Sequence, residues 1–251
     1  MLGSFYAWEQ LTRGGSGDAG VIVGEDMIAV GGAQTGLGPA FGVLAQPGDT
    51  VFLDNKWTTE SFATFGQATY NITEQWATTL GLRYTREDKS ADLFTEPYST
   101  AAAAAVGGAL VQRAFAPVDN DFHRNADGFT WLANLTWFMT DETMLFTSIT
   151  TGSKSGGFNG VAGEGAEREF DDEDTTNYEL GIKSQWLDNR LQINASAFYT
   201  EFDELQFLAQ QSTGVGTFVS NAAQGTSSGV DLSVNAAPWD FLLLTTVSMI
   251  T

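Results

Sequence analysis

The chain has 251 residues, no cysteine, and a formal charge of -20 from 31 acidic and 11 basic side chains. It lacks the basic footprint that a nucleic-acid binder needs, and neither disulfides nor thiolate metal sites are available to it. Apolar and polar residues are interleaved, and no window approaches the about 18 consecutive apolar residues of a membrane helix.

Met1 to Glu9 reads as the end of a strand, with no basic leader or cleavage site before it. Residues 11 to 60 are rich in Gly, Asp, Gln and Thr without sustained periodicity and read as a long loop. Ser61 to Lys89 carries the clearest pattern in the chain. Trp76, Thr78, Leu80, Leu82 and Tyr84 alternate with Ala77, Thr79, Gly81, Arg83 and Thr85. Phe62, Thr64, Gly66, Ala68 and Tyr70 repeat the design against Ala63, Phe65, Gln67 and Thr69. Asn71 to Gln75 joins the two at a length that fits a tight hairpin. A strand half-buried in a globular core also alternates. Aromatic collars around an apolar band, however, are what a lipid-crossing strand needs, and ten residues suit the ~9–11 of such a strand.

A second long loop, about Asp88 to Ala126, contains the alanine-rich tract Ala101 to Val111, suited to a short loop helix or a disordered segment. Phe129, Trp131, Ala133, Leu135 and Trp137 form the next apolar phase. Thr140 to Glu142 turns the chain, and Met144 to Gly152 returns with Leu145, Thr147 and Ile149 expected toward lipid. A third loop, Ser153 to Thr175, is glycine-rich and then acidic. Tyr178, Leu180, Ile182 and Ser184, the turn Leu187 to Arg190, and Leu191, Ile193, Ala195, Ala197 and Tyr199 follow. A fourth loop is expected to about Ser228. Val230, Leu232, Val234 and Ala236 then lead through a turn at Ala237 to Asp240 into a last strand from Leu242.

Two regularities set the fold class. Short turns alternate with long loops, the periplasmic and extracellular habit of outer-membrane barrels. Strand charges such as Arg83, Glu179, Lys183 and Asp231 fall on the polar phase, while Arg86, Glu201 and Asp203 break phase at an expected outer rim. A charge at the lipid midplane costs ~2–4 kcal/mol, whereas a lumen-facing one is solvated. The expectation is an all-β, antiparallel, up-and-down transmembrane β-barrel of about nine strands.

Four segments carry a family resemblance: Ala63 to Lys89, Thr151 to Gly160, Thr175 to Gln206, and Ser227 to Leu244. In that order they resemble the β-barrel of TonB-dependent outer-membrane receptors, over about three quarters of the chain. Phe170 to Glu173 is similar to the family's aromatic–polar–Pro–Glu stretch, with Asp172 where proline is usual. The resemblance implies about 22 strands around an N-terminal plug. No plug, TonB box, signal peptide or closing strand is matched, so residues 1–251 are expected to be an internal piece of such a barrel. It further implies the outer membrane of a Gram-negative bacterium, contact with lipid and lipopolysaccharide, and energy from the TonB–ExbB–ExbD complex through the plug. The implied cargo is a scarce solute such as a ferric siderophore, taken up in iron transport. A passive porin or small self-contained barrel is the alternative reading, and a secreted β-sandwich adhesin a more distant one.

No catalytic residue or cofactor is expected. Gly225 to Gly229 matches the Gly-x-Ser-x-Gly elbow, but a strand follows it and the sole histidine, His123, lies upstream. The acidic run Glu164 to Asp174 lacks the spacing of a calcium loop and reads as solvated. Gly152 to Gly160 reads as a flexible lead-in to an extracellular loop, with Lys154, Phe158 and Asn159 as candidate ligand contacts. Lumen-facing Arg83, Glu179 and Lys183 either line a solute path or pair with plug residues.

Overall fold

Side chains at i and i+2 of a strand share a face, so a sustained period of two commits a segment to half-buried or half-lipidic strand. The computed structural model describes residues 1–14, 20–22, 50–98, 117–160, 168–210, 217–239 and 242–250. In chain order its elements are β1 (Leu2–Gly14), β2 (Gly20–Ile22), β3 (Thr50–Asn71), β4 (Trp76–Tyr98), β5 (Val118–Phe138) and β6 (Thr143–Lys154). They continue with β7 (Gly157–Phe158), β8 (Glu169–Phe170), β9 (Glu173–Trp186), β10 (Leu191–Gln210), β11 (Thr217–Trp239) and β12 (Leu242–Ile250). Nine of these form one antiparallel wall in the order β1-β3-β4-β5-β6-β9-β10-β11-β12. β2 continues the β1 side of β3, and β7 and β8 make a separate two-stranded ribbon. This is the meander of an up-and-down barrel wall, with the expected strand number.

The pairing register aligns the apolar phases of every strand. Leu80 stands opposite Ala68 on β3 and Ala133 on β5. Leu180 stands opposite Thr147 on β6 and Ala197 on β10, and Ala195 opposite Leu232 on β11. Leu145, Thr147 and Ile149 lie on this same face, as the sequence led us to expect. Leu80 keeps 59% of its surface exposed and Leu180 62%, so no second layer among the described residues covers them. Trp131 and Leu135 are likewise exposed. An apolar surface this continuous is unstable in water and fits the lipid-facing side of a barrel wall.

Aromatic rings bound the face at both ends. Tyr70, Trp76, Trp137 and Trp186 mark the turn side, where Trp76 and Trp137 stack with centroids 5.6 Å apart and planes 6° apart. Tyr6, Phe62, Tyr84, Phe129, Tyr178 and Tyr199 mark the far side, where Tyr84 and Phe129 lie 5.1 Å apart. Trp76 and Tyr84 are eight residues apart, which is about 26 Å along a strand. That matches the about 25 Å apolar band of outer-membrane barrels, before strand tilt shortens it. The first charges on the face, Glu60, Arg86, Asp127 and Glu201, appear just beyond the far belt.

The short turns share one end of the wall. Thr73 in the β3–β4 turn accepts through its hydroxyl from the Gln75 and Trp76 amides. Thr140 accepts in the same way from Glu142 in the β5–β6 turn. Neighbouring turns are tied sideways, Phe138 N donating to Gln75 O and Gln185 N to Glu142 O, each at 2.8 Å. In the β9–β10 turn Leu187, Asp188 and Asn189 all adopt left-handed φ, of 57°, 55° and 67°. Asp and Asn tolerate that region, whereas Leu does so at a steric cost. β11 runs on through Trp239 with an irregular register after Ala236, so the expected turn at Ala237 is strand, and residues 240–241 lie outside the described residues.

The expected long loops are the chief correction. β3 begins at Thr50, β4 continues to Tyr98, β5 begins at Val118, and β10 runs to Gln210 with β11 starting at Thr217. Strands of 20 to 23 residues therefore project well past the far aromatic belt. Beyond lipid the outer face meets water and the inner one carries only a short apolar patch at Ala91 and Leu93, so no sustained alternation marks these extensions in the sequence. The tract Ala101 to Val111 lies outside the described residues.

Candidate functional site

The polar phases form the opposite face of the wall, and a strap of chain folds onto it. Of the chain between β6 and β9, residues 155–160 and 168–172 are described, and they form this strap, with Gly157–Phe158 and Glu169–Phe170 pairing as its ribbon. Its first glycines permit close approach. A Cβ on Gly156 would stand 2.1 Å from the Phe170 carbonyl oxygen, and one on Gly160 would stand 2.2 Å from the Trp57 ring. Phe158 is buried against Ala91 and Leu93, with Trp57, Val118 and Phe122 around them and the Phe122 ring 5.7 Å away.

Polar contacts complete the docking. Arg124 on β5 donates to Asp171 at 3.0 Å and to Asp172 at 3.1 Å. Lys89 on β4 donates to Ser155 Oγ and to the Gly156 carbonyl, and pairs with Glu87 at 3.3 Å. Ser155 Oγ donates to Glu87, and the Gly156 amide donates to Asp172 at 2.6 Å. Burial alone would raise the Glu87 pKa, but the Ser155 hydroxyl and the Lys89 charge pull it below its ordinary value. Arg124 would be lowered by burial, yet its contacts with Asp171 and Asp172 hold it above the ordinary guanidinium value. On the β10–β11 side, Gln206 Nε2 and Asn221 Nδ2 both donate to the Asp171 carbonyl.

The sequence-derived candidates divide between strap and wall. Phe158 is the apolar anchor just described. Asn159 is buried, its Nδ2 donating to Val219 O and its Oδ1 accepting from Val219 N, both at 2.8 Å. These two residues hold the strap, so the segment is seated rather than a loose lead-in. Lys154 is exposed at the strap's base, its carbonyl accepting from Gln206 at 3.3 Å. Arg83, Glu179 and Lys183 all lie on the polar face. The Arg83 guanidinium sits 6.0 Å from the Phe65 ring centroid, and Lys183 Nζ 5.3 Å from that of Phe146. Arg83 on β4 and Glu179 on β9 are three strand spacings apart, about 14 Å, so they are not a pair.

Between strap and wall lies an open cleft of about 370 Å³, lined by Arg83, Thr85, Glu87, Thr130, Ser153 and Asp172 among others. Lys89 and Arg124 nearby are engaged with carboxylates, whereas Arg83 has no ion-pair partner among the described residues. Its Nε donates to Thr85 at 3.0 Å, and the side chain lines the cleft. Sequence reading missed Arg124, Lys89 and Glu87. Their signal was scarcity: with 11 bases against 31 acids, any base in an acidic stretch has carboxylates within reach.

The remaining motifs are structural. Gly225 to Gly229 lies inside β11, paired with Phe202 to Phe198, and is no strand-to-helix elbow. Asp171 and Asp172 of the acidic run are taken by Arg124, rather than being merely solvated. No group of three or more metal-ligating side chains occurs among the described residues.

Comparison with known proteins agrees with this geometry. The chain is similar to the pesticin receptor of Yersinia enterocolitica, 28% identical over 185 residues, which are 73% of this chain and 24% of that protein. It is 24% identical over 184 residues to the probable TonB-dependent siderophore receptor PiuA of Acinetobacter baumannii, covering 71% of this chain and 22% of that one. Among solved structures, the ferric yersiniabactin uptake receptor FyuA of Yersinia pestis superposes with a TM-score of 0.58 at 20% identity, over 81% of this chain and 29% of that one. The chain thus spans about a quarter of the length of these curated relatives. The family model for TonB dependent receptor-like β-barrels matches residues 7–249, and the chain belongs to that family.

Proposed function

We propose that this chain is part of the wall of a receptor in the outer membrane of a Gram-negative bacterium. In this reading the receptor actively imports a scarce, bulky solute such as a ferric siderophore. Its apolar face meets lipid and, past the far aromatic belt, lipopolysaccharide. Energy arrives from TonB, ExbB and ExbD through a plug in the lumen. The observation that carries the reading is the pairing of a lipid-fitted face with a polar face, in a chain whose relatives are named as receptors for pesticin and for siderophores. The work is binding and passage, so no side chain is given a catalytic role.

Within this reading Arg83 is the proposed contact for an anionic group on the solute, because it faces the cleft without a carboxylate partner among the described residues. Lys154, exposed at the strap's base, is a second candidate, while Glu179 and Lys183 line the path below. The test is growth on limiting iron. A strain lacking the receptor that carries this chain should lose growth on one or more ferric siderophores and regain it with the gene restored. Growth unchanged on every siderophore supplied, or import undiminished after TonB is deleted, contradicts the proposal.

A further inference from the structure

We propose that the β3–β4 and β5–β6 turns are a paired footing in the membrane. Ile72 and Met139 seat in the headgroup boundary of the leaflet on the turn side, and the carboxylates that follow them stay in water. This rests on the reading of the wall as part of a lipid-crossing barrel and adds to it a contact surface beyond the aromatic belt.

The two turns are copies of one design. Each runs from an apolar residue through threonine to an acid, as Ile72-Thr73-Glu74 and Met139-Thr140-Asp141. The apolar residue's amide closes the hairpin, Ile72 N donating to Trp76 O at 2.8 Å and Met139 N to Thr143 O at 2.9 Å. The threonine amide donates to the same carbonyl, at 3.2 Å in both turns. The threonine hydroxyl then accepts from the amides that follow, from Gln75 and Trp76 in one turn and Glu142 in the other. The bond from Phe138 N to Gln75 O ties the two turns side by side. Both tips are therefore fixed in shape, and each holds its apolar side chain out, Ile72 at 51% and Met139 at 43% exposure.

Phase gives the direction. Ile72 lies two residues past Tyr70 and Met139 two past Trp137, so each continues the outward, lipid-fitted face of its strand beyond a belt residue. Tight turns favour Asn, Asp, Gly and Ser, which bend the chain without exposing apolar surface. A large apolar residue at the same place in both turns, on the same face, instead matches an interface that removes it from water. Glu74, Asp141 and Glu142 are exposed just past these residues. A carboxylate in hydrocarbon is costly, so they stop insertion at the headgroup boundary. The β9–β10 turn is built differently, with three left-handed residues, and Leu187, one residue past outward Trp186, falls out of the phase.

No cysteine of this chain competes for a label. Nitroxides are attached singly at Ile72→Cys, Met139→Cys, Glu74→Cys, Asp141→Cys and Leu80→Cys in the receptor carrying this chain, reconstituted in phosphatidylcholine vesicles. The ratio of collision with oxygen to collision with a polar nickel chelate reports depth. Ile72→Cys and Met139→Cys should each give a ratio several-fold above those at Glu74→Cys and Asp141→Cys, and below that at Leu80→Cys. Ratios at Ile72→Cys and Met139→Cys as low as at the carboxylate positions place the turns in water and overturn the footing, while a high ratio at Leu80→Cys leaves the barrel reading standing. A high ratio at only one of the two tips overturns the pairing. A ratio at Glu74→Cys as high as at Ile72→Cys overturns the carboxylate stop. A low ratio at Leu80→Cys as well overturns the footing together with the reading beneath it.

Discussion

Leu80 stands midway between the aromatic belts with Ala68 and Ala133 beside it and more than half its surface uncovered. Leu80→Arg is expected to cost about 2–4 kcal/mol of stability in lipid, while Thr79→Arg, one residue away on the polar face, should cost less than about 1 kcal/mol. Denaturant unfolding in lipid vesicles measures the pair, and equal losses at the two positions would show that the phase has been misassigned. Leu187 offers the opposite change. Its φ of 57° suits glycine better than a side chain with a Cβ, so Leu187→Gly should gain about 1 kcal/mol in the same assay. The phase of Leu80 was legible in the sequence because lipid punishes every exception within ten residues. The partners of Arg124 were not, because Asp171 lies 47 positions away and nothing periodic links them.

Among elements, the contrast is between strand cores and strand extensions. Trp76 to Tyr84 announces itself, whereas Glu87 to Tyr98 carries Glu87 and Lys89 on one face and Asp88 and Asp92 on the other, and looks like loop. Both are one continuous strand, held by backbone pairing that no side-chain pattern records. The strap was equally hidden, its glycines suggesting freedom where they allow close packing. Glu87 ties the strap's stability to pH. Its carboxyl sits below the ordinary 4.5 when Ser155 and Lys89 engage it. That contribution is therefore complete above about pH 4.5 and lost as pH falls through the lowered value. Spin labels at Glu169→Cys on the strap and Ala223→Cys on β11 should keep one distance from pH 8 to 5 and broaden below about 4.5. Glu87→Gln should weaken docking at neutral pH and blunt the acid step. A distance distribution that changes between pH 7 and 6 would contradict this assignment.

At the scale of the whole molecule, the apolar face, the two belts and the shared rim of turns make one statement about solvent. The apolar side of the wall is fitted to hydrocarbon, and the polar side carries the strap and the charges. The fold class was legible because these constraints repeat in every strand. Arg83's cleft was not, since Ser155 and Asp172 reach it only through the strap's fold. The most direct measurement is a nitroxide scan of residues 77 to 84, one cysteine at a time, in the receptor reconstituted in lipid. Collision with oxygen, which concentrates in hydrocarbon, should peak at Thr78, Leu80 and Leu82. Collision with a polar nickel chelate should be higher at Thr79, Gly81 and Arg83 than at those positions. Oxygen accessibility without a period of two, or low at Leu80 and Leu82, would mean that protein and not lipid covers the apolar face.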